Sequence, residues 1–334
     1  MSDRDSVLAV RSAPRGADLT AETGDVEAAA AVLGPRAARD VALAPMTTYR
    51  VGGAAALFVR ATSLDDLRAV AAARAASRLP VLVVGRGSNL LVADTGFRGI
   101  AVSVADLAGD IDLGDGSGAR VTAGGGVALP VLARRTAAAG ITGFEWAVGV
   151  PGTVGGAVRM NAGGHGSDIA ACLVDVDVVD LGAADPSLVT VPAAALGLRF
   201  RGSALTAEHV VVAAQLDLRR GDRAAAEAEI ADIVRWRREH QPGGQNAGSV
   251  FINPVPFEVS AGSLIDGLGL RGLRIGSAWV SEKHANFIQA ADGGRAADVV
   301  AVMTSVRRQV LAATGYRLHS EIRLIGFPSD EVLQ

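Results

Sequence analysis

The chain runs to 334 residues with a single cysteine, Cys172, and only five histidines. One thiol cannot close an internal disulfide, and no cysteine or histidine cluster has the spacing of a metal site, so the sequence points to a reducing compartment and no metal. Charge of one sign is also lacking. The formal net charge is -3, and the arginines are scattered among acids, which leaves no basic field for a nucleic acid. Nowhere do about eighteen apolar residues run on without glycine or charge, so nothing is expected to span a bilayer. The opening residues are rich in alanine, charge and small polar groups and lack the apolar centre of a secretory signal. They read as a flexible tail over 1–35, and the protein as cytoplasmic, with no membrane contact and no obligate protein partner. No fixed-period repeat of the solenoid kind occurs.

Apolar residues, at 49% of the chain, allow a sizeable core and two domains. From Ser63, SLDDLRAVAAARAASRLP opens with the capping-box pair Ser63 and Asp66, keeps a helical period and stops before Pro80. VLVV (81–84) and LLVA (90–93) read as two strands on either side of GRGSN. ALPVLARRTAAAG predicts a helix closed by Gly140, and the glycine-dense stretch 143–166 predicts mostly loop. VDVDVVD (174–180) and HVVVAAQLDLRR have strand texture. A long charged helix then runs up to Pro242. Beyond it come a short helix near 263–268, a last long helix in RAADVVAVMTSVRRQVLAATG and a last strand in HSEIRLIG.

Two glycine loops stand out. VGRGSNLLV places Gly85 and Gly87 after a strand, as a dinucleotide fingerprint does, but Leu90 occupies the third glycine position and a strand follows in place of a helix. Gly85, Gly87, Ser88 and Asn89 can still offer donors to an anion as a nest does, against the plainer reading of a tight turn between strands. VGVPGTVGGAV, with Gly149, Gly152, Gly155 and Gly156 around Pro151, suits close backbone approach to a large flat ligand. One ligand touching both loops has to be long.

In this order, TTYRVGG (47–53), VGRGSNLLV, GFEWAVGVPGTVGGAVRMNAGGHG (143–166), FRGS (200–203), GSVFINP (248–254), KHANF (283–287) and SEIRLIG (320–326) resemble the UDP-N-acetylenolpyruvoylglucosamine reductase family. The resemblance spans residues 39–326. It implies an α+β protein: an FAD-binding fold of the vanillyl-alcohol-oxidase type in two subdomains over 36–220, and a C-terminal α+β substrate domain over 221–334 whose last strand returns to the active site. FAD, held non-covalently, is implied to meet Gly85, Gly87, Ser88 and Asn89 at its pyrophosphate, and Gly149, Gly152, Gly155, Gly156 and Ala157 toward the flavin. NADPH is the implied reductant, and UDP-N-acetylglucosamine enolpyruvate the implied substrate, in peptidoglycan synthesis.

The implied reaction adds hydride to the methylene end of an enol ether and leaves charge on the neighbouring carbon, delocalised into a carboxylate. Such an enolate needs a cation or hydrogen bonds, and then a proton on carbon. By the resemblance, Ser249 is the proton donor, Arg201 steadies the enolate as a fixed planar cation, and Glu321 meets the substrate carboxylate as a protonated hydrogen-bond donor. Asn253, Arg271, Arg323 and Lys283 are further candidates for the carboxylate or the UDP phosphates. Phe200 departs from the tyrosine that many relatives carry. The short stretch between Arg201 and Ser249 resembles the subclass that lacks an extra substrate-covering loop.

Other readings stay open on the residues themselves. Singly, Ser249 is a hydroxyl at a strand start, Arg201 a surface arginine and Glu321 half of an ion pair with Arg323. A flavin oxidase of an alcohol or sugar on the same fold leaves GSVF and SEIR unexplained. A serine hydrolase lacks its G-x-S-x-G elbow. A non-catalytic flavin-binding protein has no use for Arg201, Ser249 and Glu321 together.

Overall fold

Asp25 accepts the N–H groups of Glu27 and Ala28 on its carboxylate and so starts α1 (Val26–Leu33). The computed structural model describes residues 24–114, 118–256 and 258–328. Of the tail expected over 1–35, residues 1–23 lie outside the described residues. Residues 26–33 correct the expectation, because they are this helix. Ala29 and Leu33, one turn apart, are fully buried, so the alanine-rich stretch is committed to a core.

The described chain divides into two compact units, each drawn from separate stretches. One takes residues 24–38, 57–85 and 99–235, and the other 39–56, 86–98 and 236–328. Four of the five limits fall inside β1 (Ala37–Ala42), β2 (Ala54–Arg60), β5 (Phe97–Ser103) and α5 (Arg223–His240), and the fifth, between residues 85 and 86, falls in the GRGSN loop.

In the first unit α2 (Leu64–Ser77) begins with the predicted capping box. Ser63 Oγ accepts the Asp66 N–H, and the Asp66 carboxylate accepts the Ser63 N–H. Leu67, Val70, Ala71 and Ala73 bury one face of this helix in a core shared with Ala29, Leu33, Leu57 and Ile100. β3 (Val81–Val83) runs parallel to β5, with Val81 opposite Ile100. β6 (Ile111–Asp112), β7 (Arg120–Gly124), β11 (Leu173–Asp180), β12 (Leu188–Pro192) and β13 (His209–Asp217) form an antiparallel sheet in the order β12-β11-β13-β7-β6. Along β11 the valines at 176 and 178 are buried while Asp175 and Asp177 face outward, as alternation predicts. This sheet packs with α3 (Leu129–Ala138) and α4 (Val154–Met160) in a second core around Phe144, Trp146 and Ile230. Two small ladders complete the unit: β8 (Ile141–Thr142) with β14 (Arg219–Arg220), and β9 (Gly163–Gly164) with β10 (Ser167–Asp168).

α4 departs from the expectation of loop over 143–166. Gly155 and Gly156 lie in its first turn, where Gly155 N–H donates to Gly125 O at 2.9 Å and a Cβ on Gly155 would sit 3.1 Å from that same oxygen. Glycine is used here for close approach.

The second unit places β4 (Leu90–Val92) parallel to β18 (Arg323–Ile325), Leu90 opposite Arg323. The expected pair of strands around GRGSN is therefore no hairpin: β3 pairs with β5, and β4 with the last strand. β15 (Arg274–Ile275), β16 (Ala278–Val280) and β17 (Ile288–Ala290) form an antiparallel sheet. α6 (Ala261–Gly267) and α7 (Ala296–Thr314) bury Ile265, Val299, Met303 and Val306 with Tyr49, Leu91, Val250 and Phe251. Asp94 caps α7 by accepting the N–H groups of Ala296 and Ala297 at 2.8 and 3.0 Å. No described helix is long and apolar enough to cross a membrane, and the described residues hold no cluster of metal-ligating side chains.

Candidate active site

Gly248 takes φ +77° and lets the chain turn sharply into Ser249. Asn246 fixes that turn: its Oδ1 accepts the Gly248 N–H at 3.0 Å, and its amide reaches the carbonyls of Gly243 and Gly244. Ser249 is half-buried and bridges Phe287, while the next residues Val250 and Phe251 are buried anchors. On the far edge Glu321 N–H donates to Val250 O at 2.8 Å, and Phe251 bridges Ser320. Ser249 and Glu321, distant in sequence, thus lie on neighbouring extended segments of one unit.

Asn89 belongs to the same unit. Its side-chain amide donates to the Glu321 carbonyl at 3.1 Å, and its own carbonyl accepts the Arg323 N–H at 2.9 Å. Asn253 Oδ1 accepts the Ala261 N–H at the start of α6. Two of the further candidates are engaged elsewhere. Arg271 grips the Asp266 carboxylate through Nε and Nη2 and donates to the Glu282 carbonyl through Nη1, which raises its pKa and lowers that of Asp266, hydrogen bonding being the main cause in both. Lys283 Nζ donates to Arg238 O. His284 Nδ1 accepts the Asn286 N–H at 3.2 Å, and burial, aided by Arg271, holds the imidazole below its usual pKa.

Arg201 lies in the first unit, on a two-residue turn closed by Arg199 and Gly202, which exchange backbone hydrogen bonds of 2.9 and 3.0 Å. Its φ is +55°, a left-handed conformation that favours glycine or asparagine. Its guanidinium carbon stands 5.1 Å from the centre of the Phe200 ring, a cation–π distance. Arg199 is occupied differently, donating to Gly197 O from an exposed position. Buried Asn161 secures the turn: its amide donates to Arg199 O and Asp168 Oδ2, and its Oδ1 accepts the Ala170 N–H.

The two glycine loops meet within the first unit at Gly85, where a Cβ would lie 2.5 Å from Thr153 Oγ1. Pairing of the second loop with residues 125–129 holds it open: Val154 N–H donates to Val127 O, Leu129 N–H to Gly152 O, and Ala128 bridges Thr153. A Cβ on Gly149 would press on the His165 ring at 2.9 Å. In the second unit Gly87 takes φ +57°, with the Met46 carbonyl where a side chain would start, and its carbonyl accepts the Thr48 N–H. Thr48 Oγ1 beside it is buried without a partner among the described residues, as are Glu145 Oε1 and Trp146 Nε1 ahead of the second loop. Glycine cradles with unspent buried polar atoms fit a large polar cofactor carrying phosphate. Thr48, Thr153, Asn161 and Asn286 were not singled out from the sequence. Asn161 and Asn286 reach partners as far as 38 and 35 residues away, and only the position of Thr153 between glycines hints at its place.

Fold and loops define an FAD-binding flavoprotein of α+β architecture: residues 55–184 match the FAD binding domain, and residues 240–325 match the C-terminal domain of UDP-N-acetylenolpyruvoylglucosamine reductase. Over 297 residues the chain is 43% identical to the UDP-N-acetylenolpyruvoylglucosamine reductase of Synechococcus sp. (strain WH7803), covering 87% of this chain and 94% of that one. The namesake from Heliobacterium modesticaldum is 42% identical over 288 residues, covering 86% of this chain and 90% of that one. The crystal structure of the Thermus caldophilus enzyme of this name superposes with a TM-score of 0.73 at 33% identity, covering 87% of this chain and 99% of that one. The chain belongs to the UDP-N-acetylenolpyruvoylglucosamine reductase family. The oxidase reading is not favoured.

Proposed function

We propose that this protein reduces the enolpyruvyl group of UDP-N-acetylglucosamine enolpyruvate with NADPH, in the cytoplasm, to give UDP-N-acetylmuramate, and that Ser249, Glu321 and Arg201 carry the second half of the reaction. The observation that carries the assignment of residues is the pairing of the Ser249 and Glu321 segments through the 2.8 Å bond from Glu321 N–H to Val250 O. It sets Glu321 opposite Val250, the residue next to Ser249, within one unit. Bound FAD would supply the two-electron chemistry that links NADPH to the methylene carbon of the substrate.

The chain's own groups handle charge and proton. Glu321 holds the substrate carboxylate. Arg201 offsets the negative charge that spreads from the adjacent carbon into that carboxylate. Ser249 delivers its proton to that carbon, and the resulting alkoxide regains a proton from solvent. Ser249 needs no activating base, since it acts as an acid toward a strongly basic carbon. Its hydroxyl makes no hydrogen bond among the described residues, which leaves the proton available. In the first unit Gly85, Gly149, Gly152, Gly155, Gly156 and Ala157, and in the second Gly87 and Ser88 with Thr48, are the groups that would hold FAD. Asn89 holds the Glu321 carbonyl as well as its place in the cofactor loop. Asn253 and Arg323 flank the substrate carboxylate.

The test follows the flavin absorbance under anaerobic conditions. NADPH should bleach it, and the enolpyruvyl substrate should restore it. In Ser249→Ala the bleaching should persist while the recovery slows by about 10²- to 10⁴-fold. Equal losses in both halves would make the serine a support of the flavin site and overturn its role.

A further inference from the structure

Residues 249–252 form the middle of three extended segments. Along one edge runs 319–321, with Glu321 N–H on Val250 O and Ile252 N–H on His319 O. Along the other edge the chain supplies only residues 286 and 287 before it enters β17, because Phe287 N–H turns back to His284 O and Ser281 N–H to Phe287 O. Asn286 makes up the shortfall. Its backbone carbonyl accepts the Val250 N–H at 2.8 Å, its Oδ1 accepts the Phe251 N–H at 3.0 Å, and its Nδ2 donates to Phe251 O at 2.9 Å. One buried side chain, 4% exposed, thereby pairs both polar groups of Phe251 as a further strand residue would.

Val250 is therefore held from both edges, by Asn286 at its N–H and by Glu321 at its carbonyl, and Ser249 is the residue directly before it. Side chains alternate along an extended segment, so a slip of one residue would turn Ser249 to the opposite face. We propose that Asn286 is a positioning residue for proton delivery, fixing the register of the Ser249 segment so that the hydroxyl keeps its face and its place. The inference rests on the reading of Ser249 as proton donor. Few other side chains can do this: aspartate keeps the acceptor and loses the donor, and alanine loses both. Proton transfer to carbon tolerates little displacement, whereas flavin reduction by NADPH asks nothing of Ser249.

The two half-reactions of holoenzyme carrying Asn286→Asp or Asn286→Ala, followed by stopped flow beside Ser249→Ala, test the idea. In the Asn286 variants bleaching by NADPH should stay within about 2-fold of wild type, while recovery with the enolpyruvyl substrate slows by about 10- to 100-fold. The slowed recovery should show a larger solvent deuterium isotope effect, and the affinity of the oxidised enzyme for that substrate should hold. Aspartate should lose less than alanine, and it carries the test if the alanine variant does not fold. Equal slowing of both halves, a loss confined to affinity, or no slowing would overturn the inference. If Ser249→Ala leaves recovery fast, the proton-donor reading itself fails. If Ser249→Ala slows recovery and the Asn286 variants do not, only the positioning role is lost.

Discussion

The segment that carries Ser249 and the turn that carries Arg201 are built on opposite plans. Ser249 sits in relaxed extended chain, paired along both edges and anchored by the buried Val250 and Phe251. Arg201 sits at the tip of a two-residue turn in a left-handed conformation, against a Phe200 ring that is 43% exposed. The roles proposed for the two residues explain the contrast. Moving a proton is a short-range event that fails when atoms are misplaced by about an ångström. Stabilising a spread negative charge is a Coulomb effect that falls slowly with distance, so a cation on a turn suffices. Register serves the proton donor, and reach serves the cation.

If that contrast holds, Arg201→Lys, which keeps the charge and loses the planar fork, should slow recovery of the flavin by only about 10-fold, well short of the loss from removing an oriented donor altogether. Stopped-flow rates as poor as those of Ser249→Ala would break the comparison. The turn makes a second demand on stability. Arg201→Gly should relieve the left-handed strain, leaving the unfolding free energy unchanged or higher by up to about 1 kcal/mol while recovery of the flavin collapses. Chemical denaturation showing a clear loss of stability would mean that the turn is not strained.

The smallest expected effect is a pH dependence with a contribution from each unit. His284 in the second unit and His209 in the first both have lowered pKa values, chiefly through burial. Arg271 adds to the shift at His284 and its own backbone opposes it, while Asp180 and Glu208 oppose it and Arg159 adds to it at His209. A depressed histidine means that the unfolded chain takes up protons first as pH falls. Stability is then complete above about pH 6.5 and is lost as pH drops toward the folded-state values. The thermal midpoint should fall between pH 7 and 5, less steeply in His284→Gln. A flat profile in the wild type would remove the buried neutral histidines from the account.

Local signals were legible in the sequence and long-range pairing was not. The Ser63–Asp66 cap, the charged α5 and the long α7 follow from residues a turn apart, which is all that helix chemistry needs. The strands flanking GRGSN were visible as strands, yet their partners, β5 and β18, depend on contacts that no short window contains. α4 was hidden because glycine argues against helix, and only the approach of Gly125 O to Gly155 explains why glycine is there. The motifs brought Ser249, Arg201 and Glu321 forward. Asn286 and Asn161 stayed hidden because an asparagine that completes a strand edge or fastens a turn is locally indistinguishable from one in a loop.

The parallel pairing of β4 with β18 also bears on how the protein comes into being. Leu90 cannot meet Arg323 until almost the whole described chain exists, so this contact has a very high sequence separation and closes late. On the ribosome, at about 5–20 residues per second, the GRGSN loop waits more than ten seconds for the strand that brings Glu321 beside Asn89. A chain cut short before residue 321 lacks both the Glu321 carbonyl that the Asn89 amide reaches and the Arg323 N–H that binds Asn89 O. Both the pairing of β4 and the hold on Asn89 therefore wait on the last strand of the fold.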